Sequence, residues 1–131
     1  MLSLYKFLVV DDTKFMRVKT IKILTEKGAS IANIVEAENG REAMQVLKRH
    51  LDVDFILCDL NMPVRTGLEF LEDVRSSKDE KIAKKKFILV TTDSEKDKVI
   101  TALKLKVNGY VLKVEIEEKL VDELIRTLGA A

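Results

Sequence analysis

Short, mostly apolar runs alternate along the chain with longer segments in which apolar residues recur at every third or fourth position. The short runs predict strands buried on both faces, because consecutive Val, Ile, Leu and Phe residues leave no side for solvent. These runs cover residues 7–10, 31–35, 55–58, 87–90 and 110–112. The pattern therefore indicates five strands, each followed by a segment of different periodicity.

The longer segments carry apolar stripes at helical spacing, within residues 16–24, 43–51, 68–74, 100–107 and 120–128. We expect all five stripes to pack into the core, with a partner-binding face as the alternative for such a stripe. Asp12 or Thr13 can cap the first helix, and Thr66 with Glu69 has the form of a capping box before the third. Gly129 is placed to end the last helix.

Five strands alternating with five helices predict an α/β fold, a doubly wound five-stranded parallel sheet with helices on both faces. Five such units fill the 131 residues, so we expect residues 1–131 to form a single domain.

Composition excludes several classes of function. The one cysteine, Cys58, cannot form an internal disulfide or a zinc cluster and suits a reducing compartment, so we expect a cytoplasmic protein. With 23 basic and 22 acidic residues, the chain lacks the basic excess typical of nucleic-acid binding. No segment approaches the ~20 apolar residues of a membrane span. The run Lys84-Lys85-Lys86 is expected in a solvated loop, with a phosphate- or partner-attracting patch as the alternative.

Polar residues follow four of the five strands, at the sheet edge where parallel α/β sheets bind ligands. They are Asp11 and Asp12 after the first strand, Asp59 after the third, Thr91 and Thr92 at the end of the fourth, and Lys113 after the fifth. Three clustered carboxylates repel one another and need a cation, and hard oxygen ligands suit Mg²⁺. A hydroxyl and an ammonium group opposite them would hold a phosphoryl group, which leaves one carboxylate as its covalent acceptor. Each of these residues alone is common at helix caps or in turns. Only their combined presence at four strand ends favours phosphoryl transfer.

These motifs together resemble the receiver domain of two-component response regulators, in its single-domain chemotaxis form, over about residues 4–128. The similar segments are Phe7-Leu8-Val9-Val10-Asp11-Asp12, Glu36-Ala37-Glu38-Asn39-Gly40 with Ala43, Asp59-Leu60-Asn61-Met62-Pro63 with Gly67, Leu89-Val90-Thr91-Thr92, and Gly109-Tyr110-Val111-Leu112-Lys113. The resemblance implies a flavodoxin-like sheet with strand order 2-1-3-4-5, which is a property of this family and does not follow from the spacing.

The resemblance also implies a role for each acidic residue. Asp59 would accept the phosphoryl group. Asp12 and Asp59 would bind Mg²⁺ directly, Asp11 would bind it through water, and the backbone carbonyl of Asn61 would complete the protein ligands.

On the opposite side of the site, Thr91, Thr92 and Lys113 would bind phosphoryl oxygens. Tyr110 matches an aromatic switch residue whose ring turns inward as Thr91 moves toward the phosphoryl group. That movement would reshape the face made by the fourth helix, the fifth strand and the fifth helix, and so shift a two-state equilibrium.

Three positions depart from the family pattern. Val114 replaces the usual proline after Lys113, so that peptide bond is expected to be either trans or strained. Thr92 stands where a small residue is common, which narrows access to Asp59. The segment Val64-Arg65-Thr66 replaces a loop that usually ends in Asp.

The family tunes its self-dephosphorylation through the residues two positions after the acceptor and after the threonine, which are Asn61 and Asp93 here. Their identities indicate a short-lived phosphate. The resemblance thus implies a stand-alone phosphorelay switch, not an enzyme. A sensor histidine kinase would phosphorylate it, and it would bind a downstream protein such as the flagellar motor switch. A phosphatase is a further expected partner, nucleic acid and membranes are not, and we expect a monomer without an output domain.

Two other functions compete with this one. The first is a phosphate sink or an adaptor receiver outside chemotaxis. The second is a Mg²⁺-dependent phosphatase with an aspartate nucleophile, which needs an acidic residue where this chain has Asn61. A nucleotide-binding fold would need a glycine-rich turn after the first strand, and the segment Asp11-Asp12-Thr13-Lys14 has no glycine.

Overall fold

Five parallel strands form one sheet, in the order 2-1-3-4-5 that the resemblance implies. The computed structural model describes residues 1–92 and 96–129. The strands are β1 (Phe7–Val10), β2 (Ile34–Ala37), β3 (Phe55–Asp59), β4 (Lys86–Thr91) and β5 (Gly109–Leu112). The predicted α/β class is therefore confirmed.

Five helices of 9 to 13 residues connect or follow the strands. They are α1 (Lys14–Glu26), α2 (Gly40–Arg49), α3 (Gly67–Arg75), α4 (Lys96–Lys104) and α5 (Ile116–Leu128). The described residues contain a sixth helix, a single turn at Glu80–Ala83. It precedes β4 and was not predicted. The expected caps form at Thr13, whose hydroxyl accepts from the N–H of Met16, and at Thr66, which makes a capping box with Glu69.

Alternate strand residues pack into two cores, one on each face of the sheet. One core joins strand residues such as Leu8, Ile56 and Leu89 to the buried sides of α2 and α3. The other joins Phe7, Leu57 and their neighbours to α1 and α5. Burial on both faces explains why the three central strands read as continuous apolar runs.

The two edge strands differ from the sequence prediction. Strand β2 begins at Ile34 because residues 31–33 form a 3₁₀ turn, in which Ile31 is exposed. Strand β5 alternates buried and exposed residues, with Tyr110 facing outward. An edge strand lacks one neighbour, so the expectation of burial on both faces is wrong for β2 and β5.

The fourth apolar stripe reaches the core only at its end, where Val107 packs against it. Ile100 and Leu103 on α4 are 53% and 56% exposed, and Ala102 is the buried side chain of this helix. The α4 helix therefore packs through a small residue and leaves its larger apolar side chains on the surface, as the alternative reading of such a stripe allowed.

Two of the three consecutive lysines are structural, which contradicts the expectation of a solvated loop. The ammonium group of Lys85 is buried and donates to the carbonyls of Leu51 and Val53 at 2.7 and 2.6 Å. Lys86 begins β4 and donates to the carbonyl of Thr127 at 2.8 Å. Their long side chains cover the end of the sheet opposite the candidate site, because carbonyl groups there accept their hydrogen bonds.

No helix in residues 1–92 or 96–129 combines the length and the apolar character that crossing a bilayer requires.

Gly67 lets α3 begin directly against the end of β3. Its N–H donates to the carbonyl of Leu60 at 2.9 Å. A Cβ atom at this position would lie 2.2 Å from the backbone oxygen of Asp59, which is closer than any real contact. The backbone that carries Asp59 is therefore in place only because residue 67 has no side chain.

We predict that Gly67→Ala lowers the free energy of unfolding by roughly 1–3 kcal/mol, since β3 and α3 must separate to admit the methyl group. Gly129→Ala is the matched control, because its new Cβ would meet its nearest atom at 3.7 Å. Chemical denaturation of both variants measures the difference. Equal stability of the two variants would contradict the steric argument.

Candidate functional site

The strand register places two aspartates side by side at the end of the central strands. Val10 pairs with Cys58, so Asp11 and Asp59 follow at the same level on β1 and β3. Both are 5% exposed, whereas the neighbouring Asp12 is exposed. One carboxylate oxygen from each of the three lies within 4.8 Å of the others. The predicted acidic cluster is therefore assembled.

Lys113 reaches this cluster from the end of β5. Its ammonium lies 3.2 Å from Asp59 Oδ1 and 3.6 Å from Asp11 Oδ2. The peptide bond between Lys113 and Val114 is trans, and Val114 is 82% exposed. The departure from proline therefore leaves Lys113 aimed at both buried carboxylates.

Burial and like charge disfavour ionisation of Asp59. Burial first, and then the charge of Asp11, raise the pKa of Asp59 from 3.8 to about 6, although Lys113 and the N–H of Asn61 lower it. Burial lowers the pKa of Lys113, but the charges of Asp59 and Asp11 together raise it above its ordinary value. The site thus holds a costly negative charge that a second cation would relieve.

The two threonines end the neighbouring strand. Asp59 pairs with Val90 in the ladder, so Thr91 lies one residue further along β4, beside the acidic cluster. Thr91 is fully buried, and its hydroxyl donates to the carbonyl of Thr92 at 3.4 Å. Thr92 is exposed. Both therefore lie at the predicted edge of the sheet, and Thr91 is the one enclosed by protein.

Asn61 lies two residues after Asp59, in the loop between β3 and α3. Its backbone N–H favours the ionised carboxylate and so lowers the pKa of Asp59. Its exposed side chain accepts a hydrogen bond at 2.8 Å from Lys98, which stands on the first turn of α4. The loop that follows Asp59 is thus hydrogen-bonded to α4, the helix that connects β4 and β5.

The unusual segment after Pro63 forms a tight turn. The N–H of Arg65 donates to the carbonyl of Pro63 at 2.7 Å, and Val64 has a φ of 67°, which β-branched residues rarely adopt. The guanidinium of Arg65 pairs with Asp73 at 2.8 Å, and its carbonyl accepts from Gly40. These contacts hold the loop against α2 and α3 without the usual Asp.

Tyr110 lies outside the acidic cluster, on the exposed side of β5. It is 46% exposed and lines a cavity of about 350 Å³ together with Thr92, Ile100 and Leu103. The cavity lies between α4 and β5, next to the strand end that carries Thr91. The structure therefore has the ring turned outward, beside an apolar space.

The donor set fits Mg²⁺. Three carboxylates within 4.8 Å offer hard oxygen ligands, and two of them are buried with a single ammonium opposite. Such a set favours a small divalent cation over an N- or S-preferring metal, because no cysteine thiolate or histidine belongs to the group.

A sequence model of the response regulator receiver domain matches residues 7–125. The chain belongs to this family.

Two chemotaxis proteins are similar to this receiver domain along most of its length. The chemotaxis protein CheY homolog of Campylobacter jejuni is 40% identical over 95% of this chain and 92% of its own. Chemotaxis protein CheY1 of Helicobacter pylori is 37% identical, over 95% and 97%. The solved structure of chemotaxis response regulator CheY4 of Vibrio cholerae has a TM-score of 0.81 at 28% identity, and the match covers 94% of this chain and 98% of that one.

The receiver site includes two contacts that the sequence did not reveal. Buried Arg17 donates to the backbone carbonyl of Asp11 at 2.8 Å and pairs with Glu36 at 3.0 Å. Its position on the inward stripe of α1, among apolar residues, was the available signal. The contact of Lys98 with Asn61 had no signal in the sequence. Asp93, expected to tune the phosphate lifetime, lies outside the described residues.

We predict that Asp59→Asn stabilises the metal-free receiver domain at pH 7.5 by on the order of 1–3 kcal/mol. The folded pKa of Asp59, about 6, lies above the ordinary 3.8, so the ionised carboxylate costs stability above pH 6. Protonation removes that cost as the pH falls, and the advantage of the variant should shrink between pH 6 and 4.

Urea denaturation in the presence of a chelator, repeated across this pH range, measures the effect. Asp122→Asn on the exposed side of α5 controls for the loss of any carboxylate. An Asp59→Asn variant less stable than the parent at pH 7.5 would show that Asp59 is not under electrostatic stress.

Proposed function

We propose that this receiver domain is a stand-alone response regulator, which accepts a phosphoryl group on Asp59 from a sensor histidine kinase. The observation that carries the proposal is the ammonium of Lys113 at 3.2 and 3.6 Å from two buried carboxylates, Asp59 and Asp11. A structural ion pair balances one acid with one base. Here two acids face Lys113, so a negative charge remains that a cation and a phosphoryl group could use.

The reaction is a transfer to a carboxylate oxygen of Asp59. That oxygen attacks the phosphorus atom, the bond from phosphorus to the nitrogen of a donor phosphohistidine breaks, and the histidine keeps the electron pair. Lys113 and the hydroxyl of Thr91 bind phosphoryl oxygens, and Thr92 borders the entrance. Hydrolysis by water later releases inorganic phosphate and restores the Asp59 carboxylate.

Mg²⁺ would be held by Asp12 and Asp59 directly, by Asp11 through water and by the backbone carbonyl of Asn61. When bound, it neutralises the negative charge of the carboxylates and of the entering phosphoryl oxygens. The chain itself supplies the orientation of the acceptor, through Gly67 beneath Asp59 and Arg17 on the carbonyl of Asp11.

The output is proposed to be the surface made by α4, β5 and α5, with Thr91 and Tyr110 as the switch. Ile100, Leu103 and Tyr110 expose apolar area there, about half of each side chain. An exposed apolar patch marks a protein-binding surface, and a pure phosphate sink has no need of one. We therefore favour a target-binding role in chemotaxis, with the flagellar motor switch as target and with the protein acting as a cytoplasmic monomer.

We predict that acetyl phosphate and Mg²⁺ place one acid-stable, base-labile phosphate on the chain and that Asp59→Asn abolishes it. The acyl phosphate is labile to base because hydroxide attacks it readily. Mass spectrometry of the intact protein measures the label. Asp122→Asn should take up the label like the parent. Label that persists in Asp59→Asn would show that Asp59 is not the acceptor.

We also predict that Lys113→Ala weakens the conformational response far more than it weakens Mg²⁺ binding. Removing the ammonium withdraws a partner of the phosphoryl oxygens but also removes a positive charge that repels the metal. NMR shifts of α4 and β5 on adding beryllofluoride, and a Mg²⁺ titration, measure the two effects.

Lys119→Ala is the control for this experiment, because Lys119 pairs with Glu115 on the surface of α5. It should respond like the parent in both measurements. An intact response to beryllofluoride in Lys113→Ala would show that Lys113 has no part in recognising the phosphoryl group.

A further inference from the structure

The contact between Lys98 and Asn61 joins α4 to the loop that follows Asp59. Lys98 lies in the first turn of α4, which buries Ala102 alone among its side chains. Its ammonium donates to Asn61 Oδ1 at 2.8 Å across 37 positions of sequence. The backbone N–H of Asn61 in turn lowers the pKa of the Asp59 carboxyl group. The side chain of Lys98 thus contacts the residue two positions after the acceptor.

This contact determines which end of the Asn61 carboxamide Lys98 occupies. An ammonium group donates hydrogen bonds and accepts none, so it must face the amide oxygen and not the nitrogen. The oxygen is the acceptor end of the side chain, and Lys98 occupies it at 2.8 Å. The NH₂ group, which donates, is the end left for other partners.

Hydrolysis of an acyl phosphate uses the oxygen end of the carboxamide, which is the end that Lys98 binds. Water attacks phosphorus through a lone pair, and a neighbouring acceptor that binds one of its protons orients it, as a glutamine amide does in GTP hydrolysis. An amide oxygen has two lone pairs, so Lys98 does not fill it, but the hydrogen bond holds that oxygen toward α4 and the positive charge makes it a weaker acceptor for water. A lysine on that oxygen therefore competes with the attacking water.

We propose that Lys98 is a positioning residue that withholds the Asn61 amide oxygen from the attacking water and so lengthens the life of the phosphate on Asp59. The inference rests on the proposed function, because it needs Asp59 to be phosphorylated. It adds that α4, through Lys98, sets how long the signal lasts.

The test measures the rate at which label leaves Asp59 after acetyl phosphate is removed, with Mg²⁺ kept constant. Lys98→Met should lose its phosphate about three- to tenfold faster than the parent, the scale of one hydrogen bond in a transition state. Lys98→Arg keeps a cationic donor and should restore the slower rate. Lys104→Met removes an exposed charge from the same helix and should match the parent.

A double-mutant cycle separates positioning from general electrostatics. In an Asn61→Ala background, Lys98→Met should change the rate no further, because the amide that Lys98 holds is absent. In the metal-free parent, the side-chain amide signals of Asn61 should shift with Lys98→Met and not with Lys104→Met. The Asn61 amide measurement needs no phosphate and reports the contact itself.

The outcomes distinguish the two proposals. A parent chain that takes no label on Asp59 overturns the proposed function and this inference with it. A labelled parent whose phosphate lifetime equals that of Lys98→Met overturns the inference alone. Acceleration that persists in the Asn61→Ala background, or that Lys104→Met reproduces, also overturns it, because the effect would then belong to charge and not to the amide.

Discussion

The repulsion between two buried carboxylates is the constraint on which the rest of this site depends. Asp11 and Asp59 meet because β1 and β3 are parallel and in register, and both are almost inaccessible to solvent. Lys113 relieves part of that repulsion, yet burial and Asp11 still raise the pKa of Asp59 to about 6. The folded chain therefore holds an anionic site whose negative charge is costly, and a bound cation would lower that cost. Stress of this kind is typical of functional sites, where stability is exchanged for chemistry.

The surroundings of the carboxylates are correspondingly rigid. Gly67 brings the backbone of α3 against Asp59, Arg17 holds the carbonyl of Asp11, and the turn at Val64 is tied to the helices on either side of it. On the other side, α4 is attached through Ala102 and leaves Ile100 and Leu103 exposed. The α4 helix therefore has fewer buried side chains to hold it than the other four long helices in the described part of the chain, and few buried contacts are typical of segments that open locally.

The central strands and the acidic cluster could be predicted from the sequence because both depend on local patterns. Consecutive apolar residues mark a strand with neighbours on both sides, and residues at the ends of parallel strands must share one edge. The edge strands could not be read in the same way, because Ile31 lies in a 3₁₀ turn before β2 and the exposure of Tyr110 depends on how far the helices cover β5. The stripe of Ile100 and Leu103 looked like core because helical spacing does not tell which face meets the sheet. Lys85 and Lys98 were missed because their acceptors, the carbonyl of Val53 and the amide of Asn61, lie 32 and 37 positions away.

Lys98 gives the loosely attached helix a direct connection to the reaction. If the position of α4 governs whether Lys98 reaches Asn61, then a partner that binds the exposed residues of α4 also changes the hydrolysis of the phosphate on Asp59. In that case, partner binding and the rate of hydrolysis would be coupled through one helix. A partner that keeps the Lys98 contact closed would prolong its own signal, and one that draws α4 away would shorten it. Because the Lys98 side chain spans from α4 to the loop, partners of different shape would then give the phosphate on Asp59 different lifetimes without any change at Asp59 itself.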